Sequence, residues 1–294
     1  MPYAYAADGV ALYYESHDTQ SHDTGPGTPG QGTRGPGTDR HSGEEPRAAC
    51  DDRPALLLVA GQSNSHRWWD AARGDFEGAF RVITMDHRGI GRSDKPDDDS
   101  YSTRGFAADA VAVLDAAGAG RAHVYGTSMG GRVAQWLAAD HPERVDRLVL
   151  GCTSPGGPHA VERDPDVTRR LAQHDAAAVR KALLDLMYTP AWLATHPGPY
   201  RTIGERDTPP HVLRRHRVAS HRHDAWDALP HIAAPTLVVH GSDDVFNPAA
   251  NAPLIADRIP GARLHLIPGA RHAYFEERRD VAGPLVLDFL TGGA

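Results

Sequence analysis

Six short aliphatic runs recur along the chain, and most stop at a glycine or an aspartate: ALLLVAG (55–61), FRVITMD (80–86), AHVYG (122–126), VDRLVLG (145–151), PTLVVHG (235–241) and ARLHLIPG (262–269). A strand that is apolar at consecutive rather than alternate positions is covered on both faces, as in a parallel sheet. Helical patterns separate the runs. Phe106, Ala110, Val113, Leu114 and Ala117 share one side of a helix over 106–117, and Met129, Val133, Trp136 and Leu137 share one side of a helix over 129–139. This alternation predicts an α/β fold with a mostly parallel central sheet flanked by helices. Ligands of such sheets sit beyond the carboxyl ends of the strands, so the loops after these runs are where chemistry is expected.

Two stretches break the pattern. GVALYYE (9–15) reads as a strand, and residues 16–54 follow it, rich in Gly, Pro, Thr and charge, with SHDT and GPGT each repeated and no large aliphatic residue. Such a segment buries too little apolar surface to offset its ordering entropy, which predicts a disordered surface insertion. Its histidines, His17, His22 and His41, read as solvated side chains rather than metal ligands, because a mobile loop fixes no coordination geometry. The second stretch, 153–231, is rich in Pro, Arg and His, with one clear helical run, DAAAVRKALLDLMY (175–188). It predicts a mostly helical cap inserted over the sheet, dividing the core into 1–152 and 232–294.

Charge and cysteine content narrow the partners. With 31 Lys and Arg against 38 Asp and Glu, the net charge is −7, which supplies no positive field for a phosphate backbone, so no nucleic-acid partner is expected. No apolar run reaches the length of a membrane span, and MPYAYAADGV lacks the basic and apolar regions of a secretory signal. Two cysteines, Cys50 and Cys152, do not make a disulfide scaffold. The expectation is a cytoplasmic protein with no membrane partner.

The stretch VYGTSMGGR (124–132) sets Ser128 between a strand and a helix. A nucleophile on so sharp an elbow needs small residues two before and two after it, and Gly126 and Gly130 meet that need in a G-x-S-x-G pattern. The helix start turns free N–H groups toward the site, with the Met129 N–H as one oxyanion donor. A serine hydroxyl attacks only when a base takes its proton, and that base needs a carboxylate to fix its tautomer. VVHGSDDVFNP offers Asp243 and Asp244 after one strand, and LIPGARHAYFEE offers His272 after another. Both loops lie at the sheet edge that carries Ser128. The chain order is Ser, Asp, His, with Asp244 116 positions after Ser128 and His272 28 positions after Asp244.

That order, with those contexts, resembles the α/β-hydrolase superfamily. The resemblance covers most of the chain outside 16–54 and is weakest in the cap. It implies Asp244 as the acid, from the spacing of Gly241, Asp244 and Pro248, and His272 as the base, from GARH. MDHRGIGRSDKP (85–96) resembles the family's structural turn beside the site, with Arg88, Gly89, Gly91 and Ser93 in support. LLLVAGQSNSHRWW (56–69) stands where the family has its first oxyanion loop, with Ala60-Gly61-Gln62 in place of HGF or HGG. The backbone donor is assigned to Gln62, with Gly61 as the alternative. Serine at the elbow implies acyl chemistry on an ester or lactone of a small organic substrate, with neither a metal nor an organic cofactor needed. Perhydrolysis, carbon–carbon bond hydrolysis on the same residues, and a non-catalytic small-molecule receptor are the alternatives. Residues 126–155 look most like enol-lactone hydrolases and cofactor-free haloperoxidase or perhydrolase members, and 56–69 like polyketide methylesterases.

Other clusters read more plainly. RRHRVASHRH (214–223) reads as a cationic solvated helix face, although His216, His221 and His223 invite a metal reading and an arginine there suits a substrate carboxylate. Trp68, Trp69, Trp192 and Trp226 read as packing residues, and Cys152 as a small core residue.

Overall fold

A computed structural model describes residues 2–17, 52–196 and 207–293. Its centre is an eight-stranded sheet. The strands are β1 (Tyr3–Tyr5), β2 (Ala11–His17), β3 (Ala55–Val59), β4 (Arg81–Met85), β5 (Ala122–Thr127), β6 (Val145–Gly151), β7 (Thr236–Gly241) and β8 (Arg263–Ile267). They lie in the order β1-β2-β4-β3-β5-β6-β7-β8. The six from β4 to β8 are parallel, and β1 and β2 run antiparallel at one margin. The aliphatic runs behave as their composition demands at the centre, where every residue of β3, β5 and β7 is buried. Each fully buried Val, Leu or Ile there contributes about 1.5–3 kcal/mol. The run at 262–269 differs. β8 is the sheet's last strand, and Leu264 and Leu266 are each 40% exposed, so an apolar run did not mean cover on both faces there.

Helices cover both faces. On one side lie α1 (Thr103–Ala116), α2 (Met129–Asp140) and α7 (Asn251–Arg258), burying Phe106, Ala110, Val133, Leu137 and Ile255. Ser102 caps α1 by accepting the Gly105 N–H. The other face takes α8 (Tyr274–Glu277) and α9 (Arg279–Thr291), with Trp68, Trp69, Phe76 and Phe80 packed beneath them. Trp68 and Trp69 are thus core residues. Between β6 and β7 stand α3 (Pro165–Leu171), α4 (Ala176–Met187), α5 (Pro190–Thr195) and α6 (Pro210–His221). Asp175 caps α4 through the Ala177 N–H, at the start of the run that the sequence marks as helical. Trp192 stacks on Tyr188 and His196, and Trp226 stacks on His159.

Three expectations are corrected. The N-terminal strand does not end at residue 15: Ser16 and His17 belong to β2, opposite Ile83 and Val82, so the insertion starts later than its composition suggests. His17 is not a solvated loop residue; its ring meets Thr84 Oγ1 at 3.2 Å and Arg73 at 2.8 Å. His22, His41, Cys50 and most of the 16–54 stretch lie outside the described residues. The third correction concerns α6, whose cluster is not solvated throughout. His216 is fully buried and donates from Nε2 to the Arg88 carbonyl at 2.9 Å. His223 is buried between Thr103 Oγ1 at 2.9 Å and Gln135 Oε1 at 3.3 Å.

The turn after β4 is held from within. Arg88 makes a two-pronged pair with Asp109, at 2.6 and 2.7 Å, and a further bond to Asp8 at 2.7 Å. Ser93 donates to the Asp86 carbonyl and accepts the Tyr13 N–H, each at 2.8 Å, tying the turn to β2. Among the described residues no helix is long and apolar enough to cross a membrane.

Candidate active site

β5 runs into Ser128, whose backbone sits at φ 56°, ψ −120°. Only three non-glycine residues among those described have positive φ, and Ser128 is one of them. Such a conformation costs on the order of 1–3 kcal/mol and persists only where the surroundings enforce it. Here they do. A Cβ on Gly126 would stand 2.2 Å from the Gly130 carbonyl oxygen, and one on Gly130 would stand 2.1 Å from the Val59 carbonyl oxygen. The elbow is therefore pressed against both its own helix and the end of β3. The Ser128 N–H donates to the Gly151 carbonyl, and the Ser128 carbonyl accepts from Thr153 Oγ1, both at 2.8 Å.

The 60–62 loop lies against this elbow. A Cβ on Gly61 would come 3.4 Å from Ser128 Cβ, and His87 Nε2 donates to the Ala60 carbonyl at 3.1 Å. The N–H groups of Gln62 and Met129 donate to no described residue. The Met129 N–H is at the first turn of α2, where no intrahelical acceptor exists.

Asp244 and His272 are in direct contact. His272 Nδ1 donates to Asp244 Oδ2 at 2.7 Å, and both residues are buried. Asp244 Oδ1 accepts the backbone N–H groups of Phe246 and Asn247, each at 2.9 Å. Burial alone would raise the pKa of this carboxyl. The adjacent His272 and the hydrogen bonds from His240 and His272 outweigh burial and hold it well below the usual carboxylate range. Asp243 instead accepts from Ser242 Oγ at 2.7 Å on the exposed side of the loop, so of the two aspartates it is Asp244 that meets the histidine. With Nδ1 carrying the proton, His272 Nε2 presents a lone pair; it is buried and has no hydrogen-bond partner.

Ser128, Asp244 and His272 thus stand at the carboxyl edge, after β5, β7 and β8. β6 lies between β5 and β7 in the sheet, and its end links the loops: Asn247 Nδ2 donates to the Cys152 carbonyl at 2.6 Å, next to the Gly151 carbonyl that holds Ser128. No hydrogen bond joins Ser128 to His272; in ligand-free enzymes such contacts commonly tighten only when substrate arrives. Cys152 is buried beneath, and burial together with the Asp244 charge pushes its thiol well above the ordinary value.

One participant was not assigned from the sequence. His240, the last residue before Gly241, donates from Nε2 to Asp244 Oδ2 at 3.0 Å and to the Asn247 carbonyl at 2.8 Å. One carboxylate oxygen is therefore shared by two imidazoles. The signal was present as a histidine four residues before Asp244. The α6 histidines come together at no metal site: among the described residues no group of three or more His, Cys, Asp or Glu side chains is arranged to hold an ion.

Comparison with known proteins agrees with this architecture. A family model described as alpha/beta hydrolase fold matches residues 54–278. The chain is 31% identical to "Putative carbamate hydrolase RutD" of Caulobacter sp. strain K31 over 250 residues, which is 83% of this chain and 92% of the relative. It is 34% identical to 2-hydroxymuconate semialdehyde hydrolase of Pseudomonas putida over 249 residues, 80% of this chain and 86% of the relative. Among solved structures, the enol-lactonase of Burkholderia xenovorans LB400 superposes with a TM-score of 0.75 at 25% identity, covering 99% of this chain and all of the other.

Proposed function

The chain belongs to the α/β-hydrolase family, and from that premise we propose that it is a serine hydrolase cleaving an ester or lactone of a small organic substrate through an acyl-enzyme. Ser128 Oγ attacks the carbonyl carbon while His272 Nε2 takes its proton. Asp244 stays ionised, fixes the tautomer and stabilises the imidazolium. The tetrahedral oxyanion is received by the Met129 and Gln62 N–H groups, each such donor being worth about 2.7–4 kcal/mol in the transition state. Collapse breaks the bond to the leaving alcohol, which takes the proton from His272. Water, deprotonated by the same nitrogen, then attacks the acyl carbon and releases Ser128. In this reading α3, α4, α5 and α6, which stand between β6 and β7, form the cap that bounds the acyl and leaving groups. The observation that carries this reading is the 2.7 Å bond from His272 Nδ1 to a deeply ionised Asp244, which leaves a free Nε2 at the sheet edge where Ser128 sits on a strained elbow.

The test is Ser128→Ala assayed on p-nitrophenyl acetate and a γ-lactone. Its expected loss is about 10⁴-fold or more in kcat with the fold retained. Turnover within tenfold of wild type removes Ser128 from the mechanism. A second reading, carbon–carbon bond hydrolysis with the same three residues, is favoured by the 34% identity to the semialdehyde hydrolase. Turnover of a vinylogous diketone in preference to both esters and lactones selects it.

A further inference from the structure

Arg163 lies between β6 and α3, where the chain has just left the sheet beside the site. Its Cζ is 4.6 Å from the centre of the Phe246 ring, and that ring meets the His272 imidazole edge-on, 4.7 Å between centroids. The guanidinium therefore stands within about 9 Å of the imidazole centre. Arg163 is partly buried, and it makes no hydrogen bond or ion pair with any described residue.

A second cation stands near it. Arg132, in the first turn of α2, donates to Ser154 Oγ at 2.9 Å and to Ser220 Oγ at 2.8 Å, both uncharged, and its Nε is buried without a partner. Burial, with the neighbouring Arg163 charge, lowers Arg132 to about 10, and burial likewise lowers Arg163. The acids near Arg163 make no ion pair with it: Glu162 is exposed, and Asp244 receives its hydrogen bonds from His240, His272 and the Phe246 and Asn247 N–H groups, so both act on the guanidinium only at a distance. The buried Arg88 of this same chain shows the ordinary solution, two carboxylates on one guanidinium. Two arginines lacking that solution, beside a candidate catalytic histidine, leave two guanidiniums with no carboxylate hydrogen-bonded to either.

We propose that Arg163 is the receptor for an anionic group on the substrate, a carboxylate separated from the scissile carbonyl by a short chain, with Arg132 reinforcing the field. The inference rests on the acyl-transfer reading above and narrows its substrates to esters or lactones that carry a free carboxylate. The planar fork of Arg163 suits a carboxylate, and the Phe246 face beneath holds that fork in plane.

The experiment compares two chain-matched esters, mono-p-nitrophenyl glutarate and p-nitrophenyl valerate, which differ in a terminal carboxylate against a methyl group. In wild type the ratio of kcat/KM favours the glutarate ester. Arg163→Gln lowers that ratio about 10- to 100-fold, the size of one charge-assisted hydrogen-bonded contact, and Arg163→Lys lowers it less. Melting temperatures confirm that both variants are folded. Calorimetric titration with glutarate itself gives a readout independent of turnover: it binds wild type, and binds Arg163→Gln at least about tenfold more weakly. Should neither ester be turned over, the acyl-transfer reading fails while the titration still reports on Arg163. A ratio unchanged in both variants, or a glutarate affinity that does not move, overturns the proposal.

Discussion

Acidification should loosen this fold through a histidine remote from the chemistry. His216 is fully buried on α6, its ring 5.1 Å from that of Phe106 and 5.7 Å from that of Tyr101, and its Nε2 proton is given to the Arg88 carbonyl. Its Nδ1 is buried with no partner. A second proton there would be a charge without water or acceptor, close to His87. Burial, and then His87, push the His216 pKa down to about 3, against the smaller help of the Arg88 carbonyl. In the unfolded chain the ring titrates at its ordinary value of about 6.5. Between these two values the unfolded state holds a proton that the folded state refuses, so stability is complete above about pH 6.5 and is lost as pH falls toward 3. Each pH unit in that window is worth about 1.4 kcal/mol, hence about 2 kcal/mol by pH 5 and about 3 kcal/mol by pH 4. His216→Gln keeps an N–H for the Arg88 carbonyl and removes the titration. Urea unfolding followed by tryptophan fluorescence from pH 7.5 to pH 4 should give a shallower pH dependence for the variant, by about 1.4 kcal/mol per unit. His223, His87 and His123 are also held below the ordinary value, chiefly by burial, so wild type keeps a residual slope and the readout is the difference between the two proteins. Parallel curves would refute the reasoning.

Two further outcomes follow from the site. Gly126→Ala forces a methyl group onto the Gly130 carbonyl, with Val59 behind it, and should cost more than about 3 kcal/mol; an unchanged melting temperature contradicts the close approach. His240→Phe keeps a planar, somewhat larger ring but removes the donor to Asp244 and to the Asn247 carbonyl, so kcat should fall about 10- to 100-fold with KM held, and equal losses in kcat and stability with a raised KM would mark His240 as structural only.

The central sheet was legible because its strands, buried on both faces, leave short consecutive apolar runs that end at Gly or Asp, too short for buried helices. β8 escaped that logic, since a marginal strand can carry Leu264 and Leu266 outward without any change in its sequence signature. The candidates Ser128, His272 and the pair Asp243 and Asp244 came from local constraints, two glycines that the elbow requires and two loops that follow strands, while the choice of Asp244 came from the resemblance; the structure brings Asp244, not Asp243, to His272. His240 and Arg163 could not. The significance of each comes from a partner's position in space, a shared carboxylate oxygen for one and the Phe246 ring for the other. His216 and His223 were misread for the same reason. A polar residue on a cationic helix looks solvated until the carbonyl, hydroxyl and amide that receive it are in view.

The direction of β2 has a practical corollary. Because it runs against β4, His17 ends beside Val82, and the chain is taken up again at Ala55 beside Arg81. Both tether points belong to the floor of the sheet, whereas the serine, the aspartate and the histidine crown its roof. Whatever is spliced between the tethers is anchored at the pole away from the candidate site, which makes that junction the natural port for a tag or a fused domain.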